Sequence, residues 1–235
     1  MKQVEQTNMV PLQKWGGIAS LYEALAYIIG MVGFLTVVNI SEIADPVQQV
    51  ASMVEHQGFL ALLHLIVYVA WGAMLVVLTL ALHERLRGDS SAVARTATVF
   101  GIIWSVLVIA SGMVHNVGME TVTSLYASDP TQAATVWLAI EAVYTGLGGS
   151  VEIVGGIWVL LLSVAALRNG GLPRLFNYFG FVVGGAGLLT VVPALSEAGA
   201  IVFGLTQIVW FIWLGTALLR RSADVVEEVL TPAFD

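Results

Sequence analysis

Residues 130–167 read PTQAATVWLAIEAVYTGLGGSVEIVGGIWVLLLSVAAL, a largely apolar stretch whose charged residues are two acids, Glu141 and Glu152. Its second half, residues 147–167, has the length and composition of a membrane-spanning helix, which needs about 20 mostly apolar residues. A carboxylate at bilayer depth costs about 3 kcal/mol on insertion scales, so we expect Glu152 to face protein or water and not lipid. This stretch therefore predicts a polytopic membrane protein with a buried acid.

The composition of the whole chain supports the same class. Of its 235 residues, 58% are hydrophobic and only 11% are charged, against about 25% charged in a typical soluble domain. The mean hydropathy is +0.89. There is no cysteine, which excludes disulfides, thiolate metal sites and thiol catalysis. No basic patch indicates nucleic-acid binding; the lipid bilayer is the expected partner.

Hydropathy predicts an all-α, single-domain bundle over residues 1–235, with six transmembrane helices. The predicted spans are residues 16–38, 58–82, 98–117, 147–167, 175–195 and 200–219. The first follows a polar N-terminus without a clear cleavage site, so it is expected to be an uncleaved signal anchor.

The basic residues predict the orientation of the bundle. With six spans, all nine Lys and Arg residues fall on one side of the membrane, and the positive-inside rule makes that side cytoplasmic. Both termini are then inside, and the expected location is a bacterial inner membrane. The opposite face has acids but no Lys or Arg.

The predicted outer connections are long enough to form a small extracytoplasmic cap. Asp45-Pro46 and Asp129-Pro130 each combine an N-cap residue with proline at the first helical position, so a short helix is expected after each. An unbroken helix over residues 130–167 would be about 57 Å long, well beyond the roughly 30 Å hydrocarbon core. It is therefore expected to project outward or kink, with a break at residues 146–149 as the alternative.

Depth along the predicted helices places several polar side chains in the outer half of the bilayer. On a continuous helix Glu141 and Glu152 are about three turns apart and share a face, and Gly148 and Gly156 flank Glu152 at i−4 and i+4. The expected outward-facing pocket is lined by His64, His115, Glu141, Glu152, Tyr68, Tyr144 and Asn116.

Three interpretations of this polar set are open. In the first, Glu152 titrates, and the site binds a small polar or cationic ligand or relays a proton. In the second, His64, His115 and Glu152 hold zinc, iron or manganese, or the two histidines bind a haem; no ligand motif such as HExxH supports this. In the third, the side chains form a buried hydrogen-bond cluster that only fixes helix register.

Glu23 stands apart from that set, near the cytoplasmic end of the first predicted span. We expect it to be a boundary acid that reaches toward the interface. The alternatives are that it lines an inner cavity or pairs with Lys14.

Residues 16–22, with the sequence GGIASLY, open the first span, an acidic outer loop follows it, and the predicted fifth span carries Gly180, Gly184 and Gly187. This combination resembles a bacterial multipass membrane family known only as a domain of unknown function. The resemblance implies a membrane location and carries over no catalytic or binding residue.

The function predicted from the sequence is an integral membrane protein with an outward-facing polar pocket. One alternative is an accessory subunit that packs against a larger membrane protein or a second copy of itself, which the glycine faces would suit. Another is an intramembrane metal- or haem-binding redox protein.

Overall fold

The computed structural model describes residues 2–38, 43–86, 91–149 and 152–230, and these are helical almost throughout, with no strand among them. The α-helices are α1 (Lys2–Gly33), α2 (Pro46–Glu55), α3 (Gln57–His64), α4 (Trp71–Arg85), α5 (Ser91–Tyr126), α6 (Pro130–Tyr144), α7 (Ile153–Asn169), α8 (Arg174–Leu189) and α9 (Ser196–Leu230). Three π-helical turns, Phe34–Val38, Leu65–Ala70 and Thr145–Gly149, follow α1, α3 and α6.

Within the described residues, five helical stretches, and not clearly the predicted six, are long and apolar enough to cross a membrane. They are Leu12–Thr36, Gln57–Arg85, Ala92–Tyr126, Pro130–Asn169 and Ser196–Arg220. The predicted span at residues 175–195 is shorter than expected, because α8 has only 16 residues and the chain turns from Thr190 onward, ahead of Pro193.

The helix predicted to kink or break near residues 146–149 does so at Gly148, so the helical face expected to be shared by Glu141 and Glu152 is not continuous. At Gly148 the backbone has φ 142° and ψ 16°, a conformation that breaks a helix and that glycine adopts readily because it lacks Cβ. Ser150 and Val151 lie outside the described residues, and α7 begins only at Ile153. Glu141 and Glu152 therefore do not share a helical face.

The described residues form two compact units. The first draws on Met1–Leu25, Met74–Trp104 and Glu152–Asp235, and the second on Ala26–Ala73 and Ser105–Val151.

In the first unit, α8 runs antiparallel to α7 with very little space between them. A Cβ at Gly156 would lie 2.7 Å from the carbonyl oxygen of Gly184 and 3.1 Å from Cα of Gly187. The α8 glycines thus let two backbones meet, which is how small residues stabilise helix pairs in membranes. On its other side α8 packs against α9, where a Cβ at Gly187 would be 3.0 Å from Phe203.

In the second unit, α2 and α6 pack together, and both begin as their sequences predict. Asp45 accepts a hydrogen bond from the Val47 amide and Asp129 from the Gln132 amide, each at 2.9 Å, with proline at the first turn. A hydrophobic cluster joins these helices to α3 and α5; its buried members are Val50, Met53, Leu60, Met119, Val122, Ala133, Ala134 and Trp137.

Candidate functional site

Two of the predicted site residues, His64 and His115, stack directly on each other in the second unit. His64 is the last residue of α3, His115 lies in α5, and their exposed fractions are 1% and 4%. The ring centroids are 3.3 Å apart and the planes differ by 8°. Two imidazoles from separate helices thus form a single buried pair, which we call the histidine pair.

The local backbone brings the two rings together. His64 Nδ1 donates to the Leu60 carbonyl 2.8 Å away; a carbonyl only accepts, so the neutral ring has its other nitrogen, Nε2, free of a proton. Gly112 in α5 faces the π-helical turn after His64, where a Cβ would lie 2.6 Å from Cβ of Tyr68. A larger residue at position 112 would separate the helices that carry the pair.

Tyr68 and Tyr144 extend the histidine pair on one side. Tyr68 stacks on His64 with centroids 5.1 Å apart, and the Tyr68 and Tyr144 hydroxyls are hydrogen-bonded to each other. Tyr144 is held at the end of α6, where its carbonyl accepts a 2.9 Å hydrogen bond from Ser111. Two phenols and two imidazoles therefore form one contiguous group.

Aromatic rings also cover the edges of the histidine pair. Phe34 meets His64 edge-on at 5.4 Å, and Trp137 meets His115 edge-on at 5.3 Å with an 87° angle between planes. Such edge contacts suit the quadrupole of aromatic rings and leave the imidazoles in apolar surroundings.

The other predicted site residues are placed differently. Asn116 lies beside His115, within 3.4 Å of its Nδ1, and donates to the Ala61 carbonyl at 3.2 Å. Glu141 lies in α6 with its side chain exposed, so it does not line the histidine pair. Glu152 belongs to the first unit.

Glu152 does not lie inside a helix as expected; it is the residue that caps α7. Its amide donates to the Thr190 hydroxyl at 2.9 Å, and that hydroxyl donates to the Gly187 carbonyl at 2.7 Å. The half-buried Glu152 thereby fixes the start of α7 against the end of α8 through its backbone.

The geometry of the histidine pair does not match the predicted metal or haem ligands. No group of three or more His, Cys, Asp or Glu side chains in the described part of the chain is placed to hold a metal ion. A metal binds an imidazole nitrogen in the plane of the ring at about 2.0–2.1 Å, and two rings whose centroids are 3.3 Å apart and whose planes differ by 8° do not converge on one point that lies in both planes. Rings 3.3 Å apart also leave no room for a haem between them.

The expectation that Glu23 is a boundary acid is wrong, because its side chain is completely buried in the first unit. Gln207 in α9 is equally buried. No feature of the sequence distinguishes Glu23 from a boundary acid, because only the neighbouring helices decide that its side chain is enclosed.

The electrostatics of the histidine pair follow from its separation. Two positive charges 3.3 Å apart repel by about 5 kcal/mol at an effective dielectric constant of about 20. The pair can therefore hold one proton far more easily than two. Protonation of one imidazole disfavours protonation of the other.

Comparison with known proteins identifies the family. The chain belongs to the family described as Domain of unknown function (DUF4386), whose model matches residues 18–216, in agreement with the resemblance seen in the sequence. With its apolar helices, the protein is an integral membrane protein of that family. No curated protein and no solved structure shows significant similarity to it.

Proposed function

We propose that this member of a membrane family of unknown function binds and relays a proton at the histidine pair. The observation that carries the proposal is the face-to-face contact of His64 and His115, both buried, at 3.3 Å. Ionisable side chains within a membrane are rare and costly, and they typically mark proton or ion pathways.

In this proposal each histidine pair binds one proton. A proton on either ring carries the cost of burying a charge, and the face of the neighbouring ring offsets part of that cost, as an aromatic face attracts a cation. The second proton is opposed by the repulsion between like charges. The acids of the neighbouring helices, Glu120 in α5 and Glu141 in α6, have exposed side chains and do not neutralise a second charge from within.

The hydrogen-bonded Tyr68 and Tyr144 hydroxyls supply the relay. A phenol both donates and accepts, so the two hydroxyls can pass a proton along by exchanging donor and acceptor roles. This narrows the pocket predicted from the sequence to His64, His115, Tyr68 and Tyr144, with Asn116 beside them.

Trp137 offers a direct test, because an imidazolium next to an indole quenches its fluorescence by accepting an electron. We expect the emission of the purified protein to fall as the pH is lowered through protonation of the pair. The Trp137 contribution is obtained by subtracting the Trp137→Phe variant, since the chain has seven tryptophans.

In the His115→Gln variant the pH-dependent part of the Trp137 emission should vanish. His56→Gln is the matched control, because that ring bonds its own helix at Ser52 and is only partly buried. If the Trp137 emission is independent of pH wherever the parent stays folded, the proton site is refuted.

We also propose that α8 is a sixth crossing, with both termini cytoplasmic. Its 16 residues measure about 24 Å, and it lies antiparallel between α7, which ends the candidate span Pro130–Asn169, and α9, which contains the candidate span Ser196–Arg220. A crossing by α8 puts Arg168, Arg174 and Arg220 on one side, as the positive-inside rule requires.

Reporter fusions at residues 171 and 194 test this topology. We expect the reporter at residue 194 to be outside and the reporter at residue 171 to be inside. Equal labelling of the two positions would mean that α8 does not cross.

A further inference from the structure

Glu23 and Gln207 are polar residues of the first unit that are fully buried without a hydrogen bond from their side chains to the described part of the chain. Both side chains are 0% exposed. Neither carboxylate oxygen of Glu23 and neither amide atom of Gln207 has a hydrogen-bond partner among the described residues. A buried carboxylate is normally paired, bound to a metal ion or neutralised by a proton, so Glu23 requires a partner that the described side chains do not supply.

Contacts between α1 and α9 place the two side chains at the same level. Ser20 donates to the Phe211 carbonyl at 2.7 Å, and a Cβ at Gly17 would lie 3.1 Å from the Gly215 carbonyl, so the helices run antiparallel. From the Ser20–Phe211 bond, Glu23 is three residues forward on α1 and Gln207 is four residues back on α9. Both steps are about one turn in the same direction.

Contacts at Gly16 show which neighbouring helices the Glu23 side of α1 faces. A side chain at Gly16 would meet Ala81 of α4 and lie 3.7 Å from Leu218 of α9. Glu23 follows Gly16 by two turns on one face, and Gln207 precedes Leu218 by about three. Both therefore lie toward the junction of α1, α4 and α9.

The α4 residues of the first unit that lie nearest the level of Glu23 are apolar. Counting back from Ala81, the residues at the level of Glu23 are Met74, Leu75 and Leu78, and the two leucines are 0% exposed. They supply neither a charge nor a hydrogen bond to the carboxylate.

We propose that Glu23 and Gln207 form a binding site for one monovalent cation of the size of Na⁺. The carboxylate and the amide oxygen are hard oxygen ligands, and the Ser20 oxygen one turn away still has lone pairs for a ligand. One carboxylate neutralises a single positive charge, whereas a divalent ion would leave a net charge in the apolar interior.

A proton alone would satisfy these groups less well. Neither Glu23 oxygen is hydrogen-bonded to the Gln207 amide, so a neutral carboxylic acid would leave both amide atoms unpaired. A cation with a bound water satisfies both side chains at once. The site is independent of the histidine pair, which belongs to the other unit.

The test is thermal unfolding of the full-length protein in detergent, in NaCl or choline chloride at equal ionic strength and fixed pH. We expect Na⁺ at about 100 times its Kd to raise Tm by about 5–11 °C. Glu23→Gln and Gln207→Leu should remove this difference. Glu197→Gln, an exposed acid at the start of α9, should retain it.

Equilibrium dialysis of the unmodified protein with ²²Na⁺ keeps the proposal testable if a variant fails to fold. One ion per chain is expected, displaced by unlabelled Na⁺ and not by choline. A Tm that responds to pH but not to Na⁺, or a lack of bound ²²Na⁺, would overturn the cation site in favour of a protonated acid.

Discussion

Replacement of Gly156 by alanine tests the close contact between α7 and α8. The added Cβ would lie 2.7 Å from the Gly184 carbonyl oxygen and 3.1 Å from Gly187 Cα. Both neighbours are backbone, so neither can rotate away as a flexible side chain would, and the two helices must separate.

The magnitude follows from two opposing terms. Overpacking of a tight interior costs about 1–3 kcal/mol, and rigid neighbours favour the upper end. Alanine in place of glycine gains about 1 kcal/mol of helix propensity. The net loss for Gly156→Ala is therefore about 2 kcal/mol, or about 4–8 °C in Tm for a chain of this size.

Gly185→Ala is the matched control, since it lies in α8 beside Gly184 and a Cβ there meets nothing within 4 Å. Gly185→Ala should be at least as stable as the parent, because it gains helix propensity and meets no neighbouring atom. Both variants are compared with the parent by circular dichroism during heating in detergent. If Gly156→Ala is as stable as Gly185→Ala, the reasoning about backbone contact fails.

Three further predictions concern the helix starts and the hydrophobic cluster. Trp137→Ala should destabilise the protein by about 3–5 kcal/mol by opening a cavity, whereas the exposed neighbour Leu138 can be changed to alanine with little loss, as chemical unfolding will show. Asp129→Ala removes the cap of α6 and should cost about 1 kcal/mol, with faster amide hydrogen exchange confined to its first turn; uniform exchange would contradict this. Thr190→Val removes the acceptor for the Glu152 amide and should cost about 1–3 kcal/mol, measurable as a lower Tm, and an unchanged Tm would mean that this bond does not matter.

Several features of the fold could be predicted because they depend on neighbours in the chain. The helix starts at Asp45-Pro46 and Asp129-Pro130 follow from side-chain capping within three residues, and both are present. The apolar stretches that make this a membrane protein follow from composition alone. The glycines of α8 indicated close helix contact, and α7 supplies it.

The candidate site could be predicted only in part. Helical rise placed His64, His115, Tyr68 and Tyr144 at compatible depths, but depth does not fix the direction in which a side chain points. Their actual contact depends on how separate helices pack: Gly112 lets α5 approach the turn that follows His64, and Ser111 of α5 bonds the Tyr144 carbonyl at the end of α6.

The sequence by itself determined the class of this protein, since only helices satisfy their backbone hydrogen bonds within one apolar segment of a membrane. It could not determine which acid is buried. Glu152 lies in the more apolar surroundings along the chain, yet Glu23 is the one enclosed, because burial depends on which helices lie beside it. The tertiary structure alone brought α1, α4 and α9 together around Glu23 and two imidazoles into contact, since these contacts join residues that are far apart in the chain.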